Sequence, residues 1–508
     1  MTYLTIKVSV VLAVSLILSG CASFDFLKLK RTPETIIKET SIAPKWQAPL
    51  PHDGSVEKLG EFWQQFNDAL LIELIDAAQQ VSPTVAAAKT RIAQARSARI
   101  NQVAIARPSL DGTFSTSRSV QQPELNTAGG NNGEGAGGVA GGGFNGGSFG
   151  SGATNNTQIG LQSAWELDIF GANKILVSSA EKTENAAKTN WHEARVAVAA
   201  ELATSYLNLR FCHAQQFILA NDLTSRKETA RITAIAIKAG FTPSAAQYLA
   251  DASVLDATQQ LNAQQANCDT AIKELVALTD LEEPSLRDKL AKQTFNVADM
   301  RNKYAIDVVP AAVLAQRPDI INAEAELMAA AAALQRNQAA RLPRVSLNGS
   351  IGWMWLSGVG FSGNGVVWSL GPLSITLPIF DSGKRKAEVD SAEASYEESA
   401  LNYRNKIRVA VKEVESALVT LHSSAQRQND LQQALIGYQA SFKATEAKVR
   451  AGFANLIELE QSRRDALQTE TNLLNLMQSR TNTWVTLYRA TGGDWQNTDN
   501  VKPMESSK

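Results

Sequence analysis

The sequence is short of the residues that most chemistry uses. It holds three cysteines, four histidines and six methionines in 508 residues, and only 6% of it is aromatic. His192 is followed by Glu193, but Val196 stands where a second zinc-binding histidine would fall, and His52, His213 and His422 have no ligand-like companions. With no histidine or methionine cluster, the metal assignment is none, and the histidines are expected on the surface or at interfaces. Charge of one sign is missing too. The 49 basic and 50 acidic side chains leave a net charge of −1, without the basic excess that phosphate recognition demands, so nucleic acid is excluded as a partner. Carboxylates such as Glu166 and Asp168 fall on the polar face of an alternating segment, where lining a wet passage suits them better than acid-base catalysis. No catalytic residues, no enzyme activity and no cofactor are expected.

Long apolar runs are also scarce, and the one present is at the start. Lys7 precedes the run Val8 to Leu18, which is too short to span a bilayer comfortably and reads as a secretory signal over residues 1–20. The ending Leu18-Ser19-Gly20-Cys21 resembles a bacterial lipobox. That likeness implies a covalent lipid on Cys21, diacylglycerol on sulfur and an acyl chain on nitrogen, and more than one chain makes a stable anchor. Ala22 after the cysteine resembles the pattern sorted to the outer membrane.

The remainder repeats itself. Ser82-Pro83-Thr84-Val85 matches Arg317-Pro318-Asp319-Ile320, Ser109-Leu110-Asp111-Gly112 matches Ser346-Leu347-Asn348-Gly349, and Asp168-Ile169-Phe170-Gly171 matches Pro378-Ile379-Phe380-Asp381. Further on, Arg195-Val196-Ala197-Val198 matches Arg408-Val409-Ala410-Val411, and Lys238-Ala239-Gly240-Phe241 matches Arg450-Ala451-Gly452-Phe453. Each half reads helix, strand, strand, very long helix, turn, helix. Ala172 to Ala239 contains neither Gly nor Pro, and Lys384 to Arg450 contains only Gly437. At about 1.5 Å per residue such helices reach about 100 Å. Their apolar residues recur at seven-residue spacing, for example Ala199, Leu202, Tyr206 and Leu209, which winds helices into coiled coils.

The strand pairs alternate in polarity. Ile159, Leu161, Trp165, Leu167 and Ile169 interleave with polar residues, as do Val345, Leu347, Ile351, Trp353 and Trp355. Weaker alternation marks Leu110, Gly112 and Phe114, and Leu373, Ile375 and Leu377. Strands with one apolar and one polar face suit a membrane barrel with a wet lumen. Four strands cannot close a barrel, and lipid forbids an open sheet edge, so several protomers must share one sheet. Residues 129–152, rich in Gly with Asn and Ser, are expected to form a mobile loop at the outer rim.

Together these features resemble the outer-membrane efflux proteins, the TolC-like outer-membrane factors, in their lipoprotein branch. The resemblance implies a mixed α and β membrane protein: a long α-helical coiled-coil barrel plus a transmembrane β-barrel, four strands per protomer, completed by trimerisation. The expected order is a signal peptide 1–20, a lipid-anchored extension 21–58, a first repeat 59–292, a linker 293–316, a second repeat 317–494 and a flexible tail 495–508. In the first repeat the strands are placed at 109–118 and 157–169, the long helix at 172–239 and the return helix at 243–280. In the second they are placed at 345–357 and 366–379, 382–450 and 454–491. The implied partners are two further copies in a homotrimer, a periplasmic adaptor, an inner-membrane RND-type pump and outer-membrane lipid. The implied function is a passive exit channel for small molecules such as drugs, located in the outer membrane with a long periplasmic portion. A protein-secretion duct driven by an ATP-dependent exporter, and a lipid-anchored coiled-coil spacer without a pore, are the alternatives.

The same likeness places the turns at the periplasmic tip, with Lys238, Ala239, Gly240, Phe241, Arg450, Ala451, Gly452 and Phe453 as adaptor contacts. The family often carries a Leu-Asp-Ala-Gln-Arg stretch whose Asp and Arg hold the tunnel shut. Here Glu460-Gln461-Ser462-Arg463-Arg464 stands in its place, so only Arg464 corresponds, and Glu458, Glu460 and Asp465 are the nearby acids that could pair with it. Cys212 and Cys268 lie equally far before and after Gly240, so helices folded back at that residue bring them opposite one another. A structural disulfide is expected, against the alternative of two separate buried thiols.

Overall fold

The computed structural model describes residues 29, 31–40, 46–48, 62–120, 153–293, 314, 317–358 and 361–493. The signal peptide, Cys21, His52, the Gly-rich stretch 129–152, the tail 495–508 and nearly all of the expected linker 293–316 lie outside the described residues. The elements are α1 (Pro33–Glu39), α2 (Ala69–Val81), α3 (Pro83–Ile105), β1 (Ser109–Val120), β2 (Ala153–Leu167), α4 (Ala172–Lys238), α5 (Ala245–Thr279), α6 (Glu283–Lys292), α7 (Pro318–Ala339), β3 (Arg344–Gly358), β4 (Phe361–Thr376), α8 (Lys384–Arg450) and α9 (Leu456–Ala490). They form two compact units. One holds residues 97–180 and 331–394, with the sheet, and the other holds 31–96, 181–330 and 395–508, which are helical where described.

The sheet is antiparallel throughout, in the order β1-β2-β3-β4. Its central seam joins the two repeats, and there Gly160 faces Gly352. A Cβ on Gly160 would lie 2.5 Å from the Ile351 carbonyl oxygen, so only a residue without a side chain permits this pairing. β4 differs from its expected span 366–379: it begins at Phe361 and ends at Thr376. Between Leu347 and Gly349 the β3–β4 register shifts, because β4 carries one extra residue near Gly371. A bulge of this kind changes which alternate residues share a face, so Val366, Trp368 and Leu370 join Leu373 and Ile375 on the apolar side. Asp168 also departs from expectation. It lies past the end of β2, and its carboxylate accepts the Asn173 and Lys174 backbone N–H groups at 3.1 and 2.9 Å, capping the start of α4.

The helices α4 and α8 each run 67 residues, and α5 and α9 run 35. Ala199, Leu202, Tyr206 and Leu209 on α4 are buried, as are Val414, Leu418 and Leu421 on α8 and Leu474, Met477, Trp484 and Tyr488 on α9. His192 is buried as well, edge-on to Trp191 at 4.9 Å, because it falls on the inward stripe of α4 and not on the expected surface. Asp68 begins α2 by accepting from the Leu70 and Leu71 N–H groups, and it also accepts from the Tyr206 hydroxyl. Burial beside Asp68 raises the Tyr206 pKa, so this hydroxyl stays a donor at any working pH. Near the N-terminus, Tyr396 donates to the Arg31 carbonyl at 2.8 Å, and the Glu415 carboxylate accepts from the Gln47 and Ala48 N–H groups at 2.7 Å each. These bonds hold Arg31, Gln47 and Ala48 against α8.

Candidate functional site

The first functional surface is the sheet itself. Its cross-strand pairs place Phe114, Ile159, Trp353 and Val366 in one row of one face, with Leu161, Ile351 and Trp368 in the next but one. The opposite face carries rows such as Asp111, Gln162, Ser350 and Ser369, where the two serine hydroxyls bond at 2.8 Å. From Val345 to Trp355 the apolar positions cover about 34 Å along the strand, or about 26 Å along a bilayer normal at a tilt of about 40°, against an apolar band of about 25 Å. Among the described residues no helix is long and apolar enough to cross a membrane. The outer edges of β1 and β4 have no partner strand among the described residues.

The second surface is the pair of helix turns. Gly240 and Gly452 take φ of +76° and +78°, a left-handed conformation open to Gly without strain. Each closes the same bond pattern: Gly240 N–H to Ile237 and Phe241 N–H to Ala236, then Gly452 N–H to Val449 and Phe453 N–H to Lys448. The consequence is that Phe241 and Phe453 project from the two turns at 86% and 85% exposure. Lys238, Ala239, Arg450 and Ala451 are exposed beside them. Arg450 pairs with Glu446 at 3.0 Å.

The residues after the second turn separate into two groups. Asn455 caps α9: its side chain accepts the Glu458 N–H at 2.9 Å and donates to the Glu458 carboxylate at 2.7 Å. Asp465 accepts from Gln461, and Arg464 is exposed. Glu460 and Arg463, in contrast, are 8% and 3% exposed and pair with each other. Arg463 also donates to Ser225 and Thr229 of α4, at 3.2 and 2.6 Å, and lies over the Phe442 ring of α8. Glu460 accepts from Ser253 of α5 at 3.1 Å and faces Arg226 of α4 at 3.6 Å, while Arg226 donates to Asp222 at 2.7 Å. Burial raises the Asp222 pKa, partly offset by Arg226. Glu460 is therefore held inside one protomer by its own helix α9 and by two others, α4 and α5. Sequence reasoning missed Asp222, Arg226 and Arg463. Their signal was a charged residue in phase with the apolar stripe, beside Leu223 and Leu459.

Cys212 and Cys268 are joined by a disulfide, with Cα atoms 5.6 Å apart, and Gln264 donates to Cys212 Sγ at 3.1 Å. A surface cavity of about 320 Å³ lies among Glu193, Arg317, Asp319, Glu413 and Arg489. Arg317 closes one wall of it by bonding Asp319, Glu413 and the Ala490 carbonyl.

Against known proteins, the family model described as "Outer membrane efflux protein" matches residues 74–280 and 309–493, which is most of the chain. The chain is 28% identical over 444 residues to the solvent efflux pump outer membrane protein SrpC of Pseudomonas putida, covering 86% of this chain and 87% of that one. It is 25% identical over 486 residues to the pyoverdine export outer membrane protein OpmQ of Pseudomonas aeruginosa, covering 95% of each. The crystal structure of the Campylobacter jejuni CmeC outer membrane channel superposes with a TM-score of 0.74 at 23% identity, over 91% of this chain and 93% of that one. Duplicated long helices, a two-faced sheet of four strands and this match across both repeats place the chain in the outer membrane efflux protein family.

Proposed function

We propose that three copies of this chain form the outer-membrane exit duct of a tripartite efflux pump. The carrying observation is the sheet: it has a lipid-compatible face, a polar face and two edges unpaired among the described residues, so closure requires more strands. Three copies supply a twelve-stranded barrel whose polar faces line a wet bore, and lipid on Cys21 anchors each protomer. Small molecules pass through without catalysis, and an inner-membrane pump of the RND type, through a periplasmic adaptor, decides what enters. By their names, relatives serve solvents and pyoverdine, which differ widely in polarity and suit a bore that selects weakly.

The adaptor docks at the turns, where Phe241 and Phe453 offer exposed rings on a rigid backbone. Arg464, with Asp465 and Glu458 near it, closes the tip between protomers. Glu460 instead serves the internal latch. To test the assignment, a photo-crosslinker at Ala454 is irradiated in living cells. Capture of the adaptor of a proton-driven pump is the expected result. Capture of an ATP-driven exporter's adaptor would move the function to protein secretion, and no capture by abundant trimers would favour a spacer.

A further inference from the structure

The two ends of the sheet differ in charge. Where β1 meets β2 and β3 meets β4, the last few described residues of each strand carry a single charged side chain, Arg118. At the other end, each junction with a helix carries exposed cations: Arg107 before β1, Lys174 after β2, Arg341 before β3, and Lys384 and Lys386 after β4. Lys384 lies 3.9 Å from Glu388. The side chains of Arg107, Lys174, Arg341 and Lys386 have no ion pair among the described residues. Of the acids at this end, Glu166 lies on the polar face of the sheet opposite Ser346, and the two at the helix junctions are committed to local bonds. Asp168 caps α4, and Asp381 accepts from the Gly383 N–H at 3.0 Å and from Arg385 at 2.8 Å.

Apolar side chains stand among these cations. Ile379 and Phe380 are 91% and 88% exposed, and Ile169, in the matching junction of the first repeat, is 62% exposed. Water is a poor neighbour for large apolar side chains at the rim of an apolar band, and each of these two junctions also carries exposed cations. A phospholipid surface meets both needs at once, since its acyl boundary takes the apolar groups and an anionic headgroup takes the charges.

We propose that this end of the sheet is a docking girdle for anionic phospholipid of the periplasmic leaflet. Lys174, Lys384 and Lys386 hold the headgroup phosphate, and Ile169, Ile379 and Phe380 enter the acyl boundary. The proposal rests on the reading that the sheet spans the membrane. It gives the girdle a role of its own, because it fixes the depth of the barrel independently of the lipid on Cys21.

The full-length protein in uncharged detergent is titrated with phosphatidylglycerol and, separately, phosphatidylethanolamine, and bound lipid is counted by native mass spectrometry. Its conductance is recorded in parallel. Each cation near an anionic surface contributes about fivefold in affinity, so the triple variant K174Q/K384Q/K386Q should lose at least about tenfold for phosphatidylglycerol. Phosphatidylethanolamine binding should not change, and R118Q, at the opposite end, should behave as wild type. Continued conductance by the triple variant shows that it is folded. Equal retention of phosphatidylglycerol by wild type and triple variant overturns the proposal, and so does its displacement by inorganic phosphate alone. A changed cation-to-anion preference of the current with lipid retained would assign these cations to the bore instead. A wild type that never conducts removes the spanning reading itself, whereas a conducting wild type without preference for phosphatidylglycerol removes only the lipid site.

Discussion

The two long hairpins, α4–α5 and α8–α9, share one backbone turn and differ in how they are fastened. The first is closed covalently by Cys212–Cys268 and by side-chain bonds such as Ser205 to Glu274 at 2.9 Å. The second has no cysteine at all. Its return helix α9 bonds across to α4 of the other repeat: Gln478 and Asn482 donate to Asn208, Gln215 donates to Thr471, and Arg463 reaches Ser225 and Thr229. Toward its own partner α8, the described side-chain links include Arg480 to Gln428 at 2.5 Å and the stacking of Arg463 on Phe442. A duplicated backbone has thus been fastened asymmetrically. α9 is bonded to α4 of the first hairpin as well as to its own partner α8.

The sharpest break of this asymmetry is at two adjacent arginines. Arg463→Ala removes the nearer of the two cations that face buried Glu460, leaving Arg226 at 3.6 Å, and should cost about 3 kcal/mol, seen as a lower thermal midpoint and as faster hydrogen exchange where α9 meets α4. Arg464→Gln, one residue on and exposed, should change stability by less than about 0.5 kcal/mol and raise the resting current. Unchanged current in a planar bilayer would count against the gate.

A smaller effect is expected at the bridge. Replacing Cys212 and Cys268 by Ser should cost about 2–4 kcal/mol and loosen α4 and α5 while exchange in α8 stays the same. A thiol assay on unfolded, unreduced protein should find neither sulfur reactive. Two reactive groups would show that the hairpin is closed without a covalent bond.

Below these lie the caps. Asn455→Ala removes the bond to the Glu458 N–H and should cost about 1 kcal/mol. Ser244→Ala, at the matching position of the first repeat, removes no cap bond and should be silent. Thermal midpoints of the pair test whether the second turn depends on its cap more than the first.

The smallest expected effect is on pH dependence. Burial lowers the His213 pKa below its ordinary value of about 6.5, with help from Arg210 and Arg287 and against Asp269. The unfolded chain then binds a proton more readily than the folded one. Stability from this group is complete above about pH 6.5 and falls as the pH drops toward the lowered pKa. His213→Gln should flatten the stability profile there, and chemical denaturation at a series of pH values would measure it.

The fold class was legible because its signals are long. Helices of this length show as a stretch without Pro and with at most one Gly, ended by a turn glycine, and alternation over ten residues marks a two-faced strand. Local exceptions were not legible. β4 hides its alternation because an extra residue near Gly371 changes parity halfway along, and the sequence does not announce which residue is extra. Asp168 continues the alternation of β2 by one step, yet its carboxylate serves the first N–H groups of α4. The latch was hidden for a different reason. Asp222, Arg226, Glu460 and Arg463 look like ordinary solvated charges until two helices, α4 and α9, bring them together, and only their phase with the buried stripe hints otherwise.

The most direct measurement is single-channel recording of the purified full-length protein in a planar bilayer. A shared sheet with a polar bore predicts discrete, weakly selective current steps from oligomers, small in the wild type and larger in the Arg464→Gln variant. Folded, oligomeric protein that adds no steps in either form would contradict the account.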